Sequence, residues 1–251
     1  MNSFKLALSN LVMFILVLVF NFLTGTGMIN DLSQADISAM FPTKITPAGF
    51  AFSIWGVIYT LILISILWML YKHKEKRVSK VIYSISWLFN LSSLANILWT
   101  VTFSYLRLPL STVLIAVLLG SLTMILFKLT KLDVKPHFIF PLAYGMYAGW
   151  VLIATVVNIA ASLVQAGWNG FGLTEVTWAN IILLVALVIV FLVTYNTTNA
   201  IVPLPVAWAY YAIFKAEASN IALVGVFVLG AMTIYGIYRN NYSLQKNFSS
   251  F

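Results

Sequence analysis

Residues 137–165 read HFIFPLAYGMYAGWVLIATVVNIAASLVQ, and this run decides the fold. It holds no Lys, Arg, Asp or Glu, and as one helix it is long enough to cross a hydrocarbon layer of about 30 Å. Lipid offers the backbone no water, so such a run must satisfy its own N–H and C=O groups as a helix. Asn158 lies in its middle. An amide in hydrocarbon needs a partner, which predicts that this face turns into protein. Tyr147 and Trp150 are three apart and share a face. Trp150, Ala154 and Asn158 continue it at spacing four.

Working outward, seven further apolar runs lie near 8–28, 48–71, 80–105, 109–128, 177–196, 201–215 and 219–238. The run at 201–215 is the shortest. Its Pro203 and Pro205 suit a helix start better than an interior. Across 251 residues, 62% are hydrophobic and 8% charged, with a mean hydropathy of +0.99. A soluble domain carries roughly 25% charged residues. This chain has too little charge to cover a water-facing surface, which excludes both a soluble globular protein and a disordered one. The predicted fold class is therefore an all-α polytopic membrane bundle of about eight transmembrane helices. The first run follows Lys5 as a signal peptide would, but Thr24–Gly27 is a poor cleavage site, so a retained helix is expected. The absence of cysteine excludes disulfides and thiolate sites.

The net charge of +8 reads as topology. With the N-terminus inside, eleven of the 14 basic residues fall in inside segments: Lys5, Lys72, Lys74, Lys76, Arg77, Lys80, Lys128, Lys131, Lys135, Arg239 and Lys246. Lys44, Arg107 and Lys215 fall outside. That asymmetry places both termini in the cytoplasm of a cell (plasma) membrane protein. The run Lys72–Arg77 reads as an anchor on the anionic inner leaflet, with no nucleic-acid partner. No acid or base lies well inside any run, which argues against proton pumps and voltage sensors.

Enzyme motifs are missing: there is no Gly-rich phosphate loop, no His-Glu-x-x-His and no nucleophile elbow. No catalytic residue and no metal ligand is assigned. His73 and His137 read as solvated loop side chains. The clues lie instead in aromatic and amide stripes. Trp55 and Tyr59 share one helix face, Asn96 and Trp99 another, and Tyr147, Trp150, Ala154 and Asn158 a third. Any single stripe is explained by core packing, and the two amides by interhelical hydrogen bonds. Three stripes together describe an aromatic-walled pocket for a flat, hydrophobic molecule. Trp68, Trp168 and Trp178, near run ends, read as interfacial belt residues. The loop at about 29–46 carries Asp31 and Gln34 as a capping-box pair before a short interfacial helix, either a tether or a lid. Val206…Tyr210…Lys215 fits a weak sterol-type pattern, with a snorkelling lysine beside an interfacial tyrosine as the alternative.

At these residues the chain resembles the tryptophan-rich sensory protein family (TspO/MBR, translocator-protein-like). Pro47 followed by Phe50, Phe52, Ile54-Trp55-Gly56 and Tyr59 looks like the family's approach to its second helix. Leu94-Ala95-Asn96-Ile97-Leu98-Trp99 with Phe103 is similar to its third helix. Tyr147-Ala148-Gly149-Trp150 through Ala154-Thr155 to Asn158 resembles its fifth, and is the most specific of the three. The family's double proline is reduced to Pro47-Ala48, and Met146 stands where a proline commonly precedes the fifth-helix Tyr.

The resemblance implies a five-helix transmembrane bundle over 8–165, with three additional helices over 166–238 and a cytoplasmic tail at 239–251, as in an enlarged bacterial relative. It implies a cavity closed by the first loop and lined by Trp55, Tyr59, Asn96, Trp99, Tyr147, Trp150, Ala154 and Asn158. The implied ligand is a porphyrin or similar tetrapyrrole, bound in a sensory or regulatory role. No cofactor is required, although a haem-like molecule could be that ligand. The lipid bilayer and a small hydrophobic ligand are the expected partners, with a homodimer as one assembly and a monomer the alternative if the added helices cover the dimer face. A transporter or permease component for a small hydrophobic solute is the competing function. Porphyrin-degrading chemistry ranks below both, for want of an acid–base pair.

Overall fold

In the computed structural model, which describes residues 2–248 and side chains for 2–239, the chain is a helical bundle. Its helices are α1 (Ser3–Gly25), α2 (Gln34–Met40), α3 (Ile54–Tyr71), α4 (Lys76–Ser104), α5 (Leu108–Thr130), α6 (Ile139–Gln165), α7 (Glu175–Thr197), α8 (Pro203–Glu217) and α9 (Asn220–Phe248). A 3-10 turn, Gly49–Ser53, leads into α3. Each of the eight apolar runs is a helix. The expected 239–251 tail continues α9 as far as Phe248, and residues 249–251 lie outside the described ones.

Local chemistry sets the helix ends. Asn2 caps α1 by accepting from the Lys5 N–H. Pro109 sits in the first turn of α5, where no intrahelical donor is lost. Thr174 caps α7, with Glu175 in its first turn favouring the positive end of the helix. The loop helix α2 starts two residues later than the sequence suggested. Asp31 has φ +56°, outside the extended geometry that an N-cap needs. Ser33 takes the role, and its side chain and backbone bond reciprocally with Asp36. Gln34 is thereby released to turn inward, where it is buried.

Ser3, at the start of α1, and Arg239 of α9 lie at the same end of the bundle as the basic loops. The Ser3 hydroxyl donates to the His73 carbonyl, Lys80 pairs with Asp133, and the Arg239 guanidinium lies over the Tyr195 ring. His137 is not a solvated side chain as expected. Its Nε2 lies 2.7 Å from the Glu75 carboxylate, and Trp68 packs edge-on against its ring.

Among the described residues, seven helices are long and apolar enough to cross a membrane. The remaining run, 201–215, forms α8, which has 15 residues and so spans about 22 Å, short of a hydrocarbon core of about 30 Å. An irregular segment, 198–202, makes up the difference. The Thr197 carbonyl accepts from Thr130 at the basic end, while Glu217 reaches Lys44 at the opposite, lid end. Between these points 198–202 runs into the bundle against α6. A Cβ on Gly149 would lie 2.2 Å from the Val202 carbonyl oxygen, and one on Gly145 would lie 2.6 Å from Asn199 Oδ1. Two glycines four apart thus form a seam that admits backbone at close range. Asn199 secures the irregular segment by donating to the Pro141 carbonyl and accepting from the Ile201 N–H. In α9, Gly225 admits the Tyr210 ring and Gly236 admits Ala200, whereas Gly230 faces open space. Tyr210 is fully buried with its hydroxyl on the Leu183 carbonyl, so the sterol-type pattern around it does not face lipid.

Candidate functional site

The site is built around Trp55, the second residue of α3. Its ring stacks on Tyr59 at 5.0 Å and 22°. It also meets Tyr147 at 6.0 Å, Trp150 at 6.1 Å and Trp99 at 6.2 Å. Edge-on and tilted aromatic contacts of this kind suit the ring quadrupole and fix the side chains relative to one another. Three helices therefore bring their stripes together, because each stripe keeps one face through spacing of three or four.

The amides tie the helices behind the rings. Asn96 donates to the Tyr147 hydroxyl at 3.0 Å and accepts from Asn21 of α1 at 2.6 Å. Asn158 accepts the Trp99 indole N–H at 2.9 Å and donates to the Ser111 and Thr112 hydroxyls of α5. Both amides thus hold four helices in register, as interhelical polar contacts do in lipid.

A cavity of about 50 Å³ lies inside this ring of aromatics. Five of the eight residues singled out from the sequence line it: Trp55, Trp99, Trp150, Ala154 and Asn158. Tyr59 faces an adjoining groove, while Asn96 and Tyr147 stand behind Trp55, bonded to each other. The Trp150 indole nitrogen is buried and finds no acceptor in the protein. An unpaired buried donor is a costly arrangement unless something else supplies the acceptor. Gln34 and Ser38 of α2 also line the cavity, so the loop helix covers its mouth. Ile37 anchors this cover against Phe103, Leu108 and Ala161.

The adjoining groove is larger, about 530 Å³, and lies between α1, α2 and α3. Gln34, Phe52 and Trp55 border both spaces, so three side chains form the partition between them.

Several lining residues escaped the sequence. Ala209 and Ile213 of α8 form a wall of the cavity. Nothing in their own segment marks them, since small and aliphatic residues are everywhere in this chain. Asn21 sits in a run whose remaining residues read as plain membrane anchor, although a lone amide at that depth is itself a signal for a polar partner. Among the described residues, no three His, Asp or Glu side chains converge as metal ligands would.

A family model described as TSPO-like protein matches residues 7–238. The match takes in the helices beyond residue 165. No curated protein and no solved structure matches the chain.

Proposed function

The chain belongs to the TSPO-like protein family, and on that premise we propose that it binds a flat hydrophobic ligand of the tetrapyrrole class in the aromatic cavity and acts as a membrane sensor or regulator. The observation that carries this reading is Trp150, a residue that lines the cavity and whose buried indole N–H has no acceptor in the protein. A ligand carboxylate, carbonyl or ring nitrogen would complete it. The surrounding rings would supply flat apolar contact. The protein is a binder, with no catalytic residue assigned. The basic end of the bundle is the cytoplasmic one by the distribution of Lys and Arg, so the lid faces outward across the plasma membrane.

Ligand sites usually occupy roughly 300–1,000 Å³. The cavity of about 50 Å³ is too small to hold a tetrapyrrole as it stands. Movement of Phe52 and Trp55 would join it to the groove of about 530 Å³ and give the required room. Binding is then coupled to movement of side chains that line the same two spaces as Gln34 of the lid helix, which is what a sensor needs.

The test is titration of the purified protein with protoporphyrin and with haem, followed by tryptophan quenching. Trp150→Phe keeps the ring and removes the donor, so affinity should fall about five- to tenfold, the worth of one hydrogen bond. Equal affinity for the variant and the parent protein would overturn this site.

The broken crossing at 198–202 favours a second reading, passage of a small hydrophobic solute. Irregular backbone at membrane depth is typical of transporter helices. Solute flux in proteoliposomes, absent from empty vesicles, would establish it. No flux across a broad panel would dismiss it.

A further inference from the structure

The helices beyond residue 165 do more than enlarge the bundle. α8 touches the aromatic cavity and the segment that leads into α3 at five places. Ala209 and Ile213 form part of the cavity wall. The Trp208 indole donates to the Ala51 carbonyl at 3.0 Å, across 157 residues of sequence. The Ala212 carbonyl accepts from the Ala48 N–H at 3.2 Å. Phe50 packs edge-on against Trp208 at 5.4 Å. At the rim, Glu217 pairs with Lys44 at 2.9 Å.

All of these partners lie on 44–51, the stretch between the lid helix and α3. That stretch continues directly into Phe52 and Trp55, which separate the cavity from the groove. α8 is held in place at both faces: the segment that leads into it packs on Gly145, Val202 and Pro205 pack on Gly149, and the Tyr210 ring packs on Gly225. A rigid helix thus grips the hinge of the element that must move for the cavity to open.

We propose that α8 is a latch: through Trp208, Ala212 and Glu217 it holds the 44–51 segment shut, and with Ala209 and Ile213 it sets the size of molecule the cavity admits. The regulation proposed here rests on the reading of the cavity as a ligand site. The latch has a strong part and a weak one. The Trp208 bond is partly buried and lies against the bundle. The Lys44–Glu217 pair is solvent-exposed, worth little by itself, and weakened by salt.

The chain has no cysteine, so a single Ala154→Cys substitution places one thiol on the cavity wall of the full-length protein. Ala154 is partly buried, so this single-thiol protein sets a baseline labelling rate with N-ethylmaleimide, and a rise above that baseline reports opening without any ligand. Adding Trp208→Phe should raise the labelling rate about fivefold, the equivalent of one hydrogen bond. Glu217→Gln should raise it less than threefold, an effect that high salt abolishes in comparison with the parent. Ala209→Val should slow labelling by narrowing the cavity, and it is mild enough to keep the fold. Elution volume and melting temperature of each variant confirm folding.

Protoporphyrin binding rates on the same proteins separate the two claims. Faster labelling together with faster porphyrin association supports the latch and the ligand reading alike. Faster labelling with no porphyrin binding in any variant keeps the latch and overturns the tetrapyrrole ligand. An unchanged labelling rate in folded Trp208→Phe overturns the latch, whatever the porphyrin does.

Discussion

The Trp99 indole nitrogen donates to Asn158 Oδ1 across 2.9 Å, joining α4 to α6 in the interior of the bundle. The same amide donates to Ser111 and Thr112 of α5, so one side chain ties three helices. Asn158→Leu would leave the indole N–H without its acceptor and take away the donor to two hydroxyls. We expect a loss of roughly 1–3 kcal/mol, read as a lower melting temperature in detergent. A double-mutant cycle with Trp99→Phe should show coupling. Strictly additive losses would mean that the bond contributes nothing.

The Gly149 position tests the seat of α8. Alanine there would put its Cβ 2.2 Å from the Val202 carbonyl oxygen, backbone that cannot rotate away. Gly149→Ala should destabilise by roughly 1–3 kcal/mol, as overpacking does. Gly120 is also helical but has nothing within 4 Å of its added Cβ. Gly120→Ala should be neutral or stabilising by up to about 1 kcal/mol. Thermal melts of the two variants side by side settle the contrast, and equal effects would refute the close seat.

The lid should respond to acid. Hydrogen bonds from the Ser33 side chain and then its backbone hold the Asp36 carboxyl below its ordinary value. A lowered folded-state pKa stabilises the lid above the unfolded aspartate value of about 3.9, and that contribution is lost as pH falls through the folded value. Asp36→Asn should therefore melt at a lower temperature than the parent near pH 7. The gap should narrow as the pH falls below the ordinary aspartate value and the parent carboxyl takes up its proton as well. A gap that is constant with pH would show that the charge plays no part.

Trp55 meets four other rings and borders both spaces. Trp55→Leu removes the partition while leaving an apolar side chain. We expect a destabilised protein, by roughly 2–4 kcal/mol for a large-to-small change. We also expect faster protoporphyrin association, because the joined space no longer has to be opened. Slower association in a folded variant would assign Trp55 to gripping the ligand rather than gating it.

Much of the site was legible before the fold was known. Trp55, Trp99, Trp150, Ala154 and Asn158 were singled out by spacing alone, and they meet around one cavity. Spacing could not tell that Asn96 and Tyr147 bond each other behind Trp55, because that depends on the depth at which two helices cross. The α1 contribution was missed for the same reason. Asn10 reaches Ser86, and Asn21 reaches Asn96, through a register between α1 and α4 that neither segment encodes alone.

The sequence by itself determined the membrane bundle, the eight apolar runs and the aromatic stripes. These are properties of single segments: length, composition, and a period near 3.6 that keeps one face in line. It also marked one end as basic, and Ser3 and Arg239 lie there. Only the tertiary structure decided that the cavity is small, that Ser33 rather than Asp31 caps the lid, and that α8 supplies a wall. The glycines at 145 and 149 show why. Their spacing was present in the chain throughout, but a missing side chain gains meaning only when another backbone arrives to fill the space. The backbone that arrives, Asn199–Val202, lies some fifty residues further along the sequence.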